Sequence, residues 1–168
     1  IYPKDSPLSD GKIELKYMTT KEEDILMSQN LIKKGVVIDK LLDSLIVTPN
    51  VKQDDLILGD KNAVLVAARI LGYGQDYTFS YPNPTTGENE EVTIDLTEAD
   101  DKELDTKLMI EGKNEFEFEL PASNRKVTFS LLTHGKQKKI DAEQRAIKKL
   151  KKDATLTTML KYVITSID

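Results

Sequence analysis

Ala63-Val64-Leu65-Val66-Ala67-Ala68-Arg69-Ile70-Leu71-Gly72-Tyr73-Gly74-Gln75-Asp76-Tyr77-Thr78-Phe79-Ser80-Tyr81 changes period in its middle. Up to Leu71 the run is apolar and helix-forming, with Arg69 its only charge past Lys61, and Gly72 is a natural stop. From Tyr77 the apolar side chains recur at every second position, Tyr77, Phe79 and Tyr81, which is the period of a strand. A helix that hands over directly to period-two segments makes the fold class α+β, a helical body with an inserted small antiparallel hairpin sheet.

Upstream the signals are helical. Asp60 is a natural N-cap for the run just quoted, which reads as the central buried helix. Ile38, Leu41, Leu42, Leu45 and Ile46 recur at helical steps and are stopped by Thr48-Pro49-Asn50. Thr20-Lys21-Glu22-Glu23 reads as a capping box, so a helix is expected over residues 20–35 with Ile25, Leu26, Leu31 and Ile32 toward the core. Before it, Lys12-Ile13-Glu14-Leu15-Lys16-Tyr17 alternates as a strand does.

Downstream, Val92, Ile94 and Leu96 alternate after the turn-rich Pro82-Asn83-Pro84-Thr85-Thr86-Gly87, predicting a hairpin with the Tyr77 segment. A second hairpin is predicted from Phe116, Phe118 and Leu120 through Pro121-Ala122-Ser123-Asn124 to Val127, Phe129 and Leu131. Residues 136–152 predict a basic helix with a narrow stripe of Ile140, Ile147 and Leu150, too polar all round to be deeply buried. A final amphipathic helix, capped by Thr155 and carrying Leu156, Met159, Leu160, Val163, Ile164 and Ile167, is expected to return to the N-terminal helices. The organisation is one composite domain: residues 1–75 a strand and helical body, 76–135 the hairpin region, 136–168 the C-terminal helices.

With 168 residues, 39% hydrophobic and 32% charged, the chain has the makeup of a globular protein rather than a disordered or membrane one. No apolar run reaches the length of a spanning helix or signal segment. The first residue is Ile1 rather than Met, so the numbering is expected to start inside a longer gene product. A net charge of -5 argues against a general nucleic-acid binder. That average conceals a dipole along the chain. Residues 88–105 hold nine acids against one Lys, and residues 136–152 hold eight Lys or Arg against two acids. The basic run reads either as a solvated face or as a contact for nucleic acid or an acidic partner, with Lys148, Lys149, Lys151 and Lys152 its densest part.

Catalytic and metal motifs are not met. There is no Cys, which excludes disulfides, thiolate catalysis and cysteine-bound zinc. His134 stands without a second His and reads as structural. Asp54, Asp55 and Asp60 read as loop polarity plus a helix cap, the other reading being a carboxylate cluster that would serve a small metal-dependent hydrolase together with His134. The acidic run 95–105 places Asp100 and Thr106 where a calcium loop needs Gly and Glu. Gly72-Tyr73-Gly74 follows a helix instead of opening one, and neither Gly112-Lys113 nor Gly135-Lys136 has the flanking residues of a phosphate loop. No cofactor is expected. Tyr77, Phe79 and Tyr81 read either as sheet core or as anchors for a protein partner.

Four segments, in order and at matching spacing, carry a resemblance: Met18-Thr19-Thr20-Lys21-Glu22-Glu23-Asp24-Ile25-Leu26 with Leu31-Ile32-Lys33-Lys34-Gly35 after it; Leu58-Gly59-Asp60-Lys61-Asn62-Ala63 running on through Ala68-Arg69-Ile70-Leu71-Gly72-Tyr73-Gly74; Phe129-Ser130-Leu131-Leu132-Thr133; and Leu156-Thr157-Thr158-Met159-Leu160-Lys161-Tyr162-Val163-Ile164-Thr165-Ser166-Ile167. Together they resemble the T-even-type contractile-phage baseplate hub and tail assembly family over most of the chain. The resemblance implies a non-enzymatic tail or baseplate component in the virion, made in the host cytoplasm, or a transient assembly chaperone absent from the virion. It implies other tail and baseplate proteins as partners, a homo-oligomer within a symmetric assembly, and no membrane. It also implies relatives that continue past the last segment and that carry a Cys-Pro-x-Cys-Gly knuckle where this chain has Tyr81-Pro82-Asn83-Pro84-Thr85-Thr86-Gly87, so no zinc is expected here.

Overall fold

The computed structural model describes residues 1–99, 107, 109–110, 112–150 and 153–168. Among them the chain is α+β. Its helices are α1 (Thr20–Met27), α2 (Gln29–Lys34), α3 (Val37–Leu45), α4 (Leu58–Tyr73), α5 (His134–Lys149) and α6 (Thr155–Val163). Its strands are β1 (Asp76–Pro82), β2 (Asn89–Asp95), β3 (Phe116–Glu119), β4 (Lys126–Phe129) and β5 (Ile164–Ile167).

The expected first strand is reduced to one bridge between Leu15 and Ile46, supported by Lys16 N–H donating to the Leu45 carbonyl and Val47 N–H to that of Glu14, each at 3.0 Å. The capping box lies one residue earlier than the sequence pattern suggests. Thr19 is the N-cap and Glu22, not Glu23, returns to it, accepting from the Thr19 N–H at 2.9 Å. The single helix expected over residues 20–35 is broken at Ser28, whose extended backbone ends α1 and whose hydroxyl accepts from Leu31 N–H to start α2. Gly35 then stops α2 at φ 68° with open space around its α-carbon. Gly35→Ala is therefore expected to lower the urea-unfolding free energy by about 1 kcal/mol, the cost of a left-handed Cβ with no clash added.

The core lies where α1, α3 and α4 meet. Leu41, Leu45 and Ala68 are its buried centre, and Leu15, Met18, Ile25 and Leu26 close over them. Helix α4 is not buried all round as its sequence suggests. Only Val64 and Ala68 are buried, while Val66, Leu71 and Tyr73 face solvent. Asp60 is inside the helix instead of capping it, and its carboxylate accepts from Tyr2 OH at 2.7 Å. The same Tyr2 oxygen accepts from Ile57 N–H, which pins the N-terminal segment across the start of α4. Burial and the bond to Asp60 push the Tyr2 hydroxyl well above its ordinary pKa.

The two predicted hairpins do not share a sheet. Among the described residues β1 and β2 pair only with each other, from Asp76 opposite Asp95 to Pro82 opposite Asn89. β3 and β4 pair from Phe116 opposite Phe129 to Glu119 opposite Lys126, with those two phenylalanine rings stacked at 5.5 Å. The free edge of β4 takes a third strand from the chain's last described residues, Val127 opposite Ile167 and Thr128 opposite Ser166. Residues 164–167, which their spacing assigns to the last helix, are thus strand β5. Ile-Thr-Ser-Ile loses little as a strand, and an open edge satisfies its backbone. Helix α6 packs on α5 and β5. Its N-cap position is Ala154, and the capping is done by Asp153, whose carboxylate accepts from the Thr155 N–H and hydroxyl.

Candidate docking surfaces

The β1–β2 hairpin is a two-stranded ribbon exposed along almost its whole length. Tyr77, Phe79 and Tyr81 stand on one face of β1, opposite Ile94, Val92 and Glu90 of β2. Their rings form a ladder, 5.7 Å from Tyr77 to Phe79 and 6.3 Å from Phe79 to Tyr81. They are 42%, 38% and 37% exposed, so the sheet-core reading of these residues is wrong. A core needs a second layer, and no element packs over this face among the described residues. At the foot of the ladder the Arg69 guanidinium lies over the rings of Tyr73 at 5.2 Å and Tyr77 at 5.6 Å. It also donates to the carbonyls of Gly74 and Asp76, tying the ribbon's root to α4.

The far end of the ribbon is closed by Asn83. Its side-chain oxygen accepts from Thr85 N–H at 2.7 Å and its amide nitrogen donates to Glu90, while Asn83 N–H bonds the Glu88 carbonyl. A local side-chain turn of this kind holds the loop without a metal ligand. Asn83→Ala is expected to speed amide hydrogen exchange of Thr85 and Thr86 about ten-fold, the loss of one or two net hydrogen bonds, with Leu45 in the core unchanged.

Helix α5 presents the basic surface. Thr133 caps it, accepting from Lys136 N–H, and Ile140 and Ile147 turn inward. Lys139, Arg145, Lys148 and Lys149 lie on the exposed side, with Ala142 and Ala146 between them. Lys148 and Lys149 occupy the last turn, where cations suit the helix dipole. The other two candidate lysines, Lys151 and Lys152, lie outside the described residues, as does the acidic stretch 100–106. The aromatic ladder and the lysines are on different elements.

His134 is the first residue of α5 and is buried. Its Nε2 bonds Asp39 Oδ1 at 2.7 Å, and Lys61 Nζ lies 3.1 Å from Nδ1. The same Nζ is 3.2 Å from Nε2, so the ammonium lies against the ring beside both nitrogens. Lys138 bridges Asp39 at 3.3 Å and Asp54 at 3.0 Å. Burial pushes the Asp39 carboxyl up, but the bonds from His134 and Lys138 outweigh it and hold the group below its usual range. Burial drives the Lys61 ammonium below its ordinary value despite the Asp39 charge. A Cβ at Gly135 would lie 3.1 Å from the Asp54 carbonyl, so a bare α-carbon there lets the Asp54 turn approach α5. The cluster joins α3, α4 and α5 as a compensated polar node. Asp54 enters it through Lys138, while Asp55 and Asp60 stand toward Tyr2. Asp39 and Lys61 carry no sequence signal for this role, because their partner is 95 and 73 residues away. Among the described residues, no three His, Cys, Asp or Glu side chains are grouped to hold a metal ion.

Helix α6 also leaves an apolar face open that its amphipathic spacing had assigned to the core. Leu156 is 65% exposed, and Met159 and Leu160 lie beside it in solvent. None of the described helices is long and apolar enough to cross a membrane.

No curated protein and no solved structure matches this chain. The family model described as T4 bacteriophage base plate protein matches residues 2–167, nearly all of it. A small α+β body with exposed aromatic, basic and apolar surfaces, matched from end to end by that model, belongs to the T4 bacteriophage base plate protein family.

Proposed function

We propose that the chain is a structural or assembly component of a contractile phage tail, working through contacts with other tail and baseplate proteins, with the β1–β2 hairpin as its docking element. The observation that carries this reading is the exposed ladder of Tyr77, Phe79 and Tyr81 on a ribbon with no covering layer among the described residues. A two-stranded ribbon is marginal by itself, and aromatic rings are the side chains most often found as interface anchors. Among the described residues no third strand pairs with either outer edge of the ribbon, and a partner strand can complete such an edge.

The test is capture with the tagged chain from infected cells, followed by identification of the co-purified proteins. Recovery of tail or baseplate subunits is expected. Recovery of none sinks the reading. Mass spectrometry of purified virions then separates a resident component, present in the particle, from an assembly chaperone, present only in lysates.

A further inference from the structure

We propose that the outer edge of β2 takes up an extended segment of a partner protein in which basic and apolar residues alternate. The inference rests on the reading of the hairpin as a docking element and adds the edge, the direction and the chemistry of the occupant. Asn83 N–H donates to the Glu88 carbonyl at 2.8 Å and Leu96 N–H to that of Gln75 at 3.0 Å, both in the register of the ribbon. The bonded pairs are therefore Tyr77 with Ile94, Phe79 with Val92 and Tyr81 with Glu90. The pairs between them turn their backbone groups outward: Asp76 and Asp95, Thr78 and Thr93, Ser80 and Glu91, Pro82 and Asn89. The 2.7 Å contact between the Thr78 and Thr93 hydroxyls fits the closer side-chain approach of such pairs.

The two outer edges differ. On β1, Pro82 has no N–H and the Arg69 guanidinium holds the Asp76 carbonyl, so that edge is blunted. On β2, no described residue bonds the outward N–H and carbonyl groups of Asn89, Glu91, Thr93 and Asp95. The side chains of Glu91, Thr93 and Asp95 stand on the face away from the rings, with Asp76 across from Asp95. Asp95 accepts from neutral Gln75 and Thr97, and no cation pairs with these three carboxylates among the described residues. Val92 and Ile94 stand on the ring face, Ile94 being 42% exposed. Residues opposite each other in an antiparallel pair share a face. A strand laid antiparallel on β2 thus sets every second side chain beside Glu91 and Asp95, where a cation is matched. Its other side chains lie beside Val92 and Ile94, where an apolar group extends the ring face. A third strand also supplies the width that a two-stranded ribbon lacks for stability. The ribbon of a second copy is disfavoured by like charge, because its edges bring Asp76, or Glu91 and Asp95, against the same acids.

Fluorescence anisotropy of labelled seven-residue peptides, the length of β2, tests the proposal on the purified chain. The probe alternates Lys and Val, beginning and ending with Lys. In antiparallel register its Lys amides point at β2 and its Val amides point away. Binding of the probe is expected, lost when the two inner Lys amides are N-methylated and kept within about two-fold when two Val amides are methylated instead. On the protein, Glu91→Lys should weaken the probe about ten-fold, the exchange of an attractive cross-strand pair for a repulsive one. Thr93→Pro removes an outward N–H from the middle of the edge and costs the ribbon only the Thr78 hydroxyl contact, so it should abolish binding. An unchanged melting temperature shows that each variant is folded. A probe that does not bind at about 1 mM overturns the proposal. So does equal binding of the two methylated peptides, or binding that survives in both Glu91→Lys and Thr93→Pro. If the probe fails while the wild type captures tail proteins that a Tyr77→Ser, Phe79→Ser, Tyr81→Ser variant loses, the edge falls and the docking role of the hairpin stands. If that variant captures them as well as the wild type does, the docking role falls too.

Discussion

Replacing Tyr77, Phe79 and Tyr81 together with serine is expected to cut recovery of tail proteins in the capture experiment by about 100-fold, equivalent to about 2.7 kcal/mol of binding. The melting temperature of the body should stay within about 2 °C of wild type. Both halves follow from placement. The three rings touch one another and, at Tyr77, Arg69, and they cover none of the buried core around Leu41, Leu45 and Ala68. Truncated aromatic anchors each typically cost over 1 kcal/mol at an interface, and neighbouring anchors do not add in full. Phe79→Ser alone, in the middle of the ladder, should fall between wild type and the triple variant. A triple variant that unfolds would mean the rings hold the body together. One that binds normally would move the docking surface elsewhere, with α5 and the open face of α6 next in line.

Glu22→Ala is expected to lower the melting temperature by roughly 10 °C. Glu22 has no exposed surface, and its carboxylate joins four donors. These are Lys16 at 2.7 Å, the Thr19 N–H at 2.9 Å, the Thr19 hydroxyl at 2.6 Å, and the Ser44 hydroxyl on α3. Removing the acceptor takes a charge-assisted bond from each of half-buried Lys16 and Ser44 and the return half of the capping box from exposed Thr19. The Lys16 bond, followed by those of Ser44 and Thr19, holds the carboxyl far below its ordinary pKa in the folded state. A depressed folded pKa means stability that is present above the unfolded value of 4.5 and is lost as pH falls below it toward the folded value. Asp39 is depressed in the same direction and adds to the acid slope. Melting followed from pH 5 down to about pH 2 should therefore show a steeper loss in wild type than in Glu22→Gln, which has no proton to gain. Parallel curves would remove the carboxylate from the account of acid stability.

Much of the fold is legible in the sequence where the signal is local. The run from Ala63 into Tyr81 changes from helical to strand period, and the structure ends α4 at Tyr73 and begins β1 at Asp76. Gly35 and the Pro49 region stop helices where their chemistry requires. Errors gather where two local readings are nearly equal. Thr19 and Thr20 are both able to cap, each with a Glu three residues on, and the choice falls to Thr19 because only then does Glu22 face Lys16 and Ser44. Ile164-Thr165-Ser166-Ile167 fits a helix or a strand, and the open edge of β4 decides it.

The candidate site divides the same way. Tyr77, Phe79 and Tyr81 are recognisable as a single face from their period alone, and so is the basic run of α5 from its charge. Whether that aromatic face is core or surface depends on what lies opposite it, and no residue within the hairpin encodes that. The sequence by itself determined helices α3 to α5, strands β1 to β4 and the separation of acidic from basic segments, because propensity, periodicity and charge act over a few residues. Only the tertiary structure decided that the two hairpins stand in different sheets, that Asp39 and Lys61 meet His134, and that the ladder faces water. Each of these depends on contacts between residues far apart in the chain, and burial is a property of those contacts.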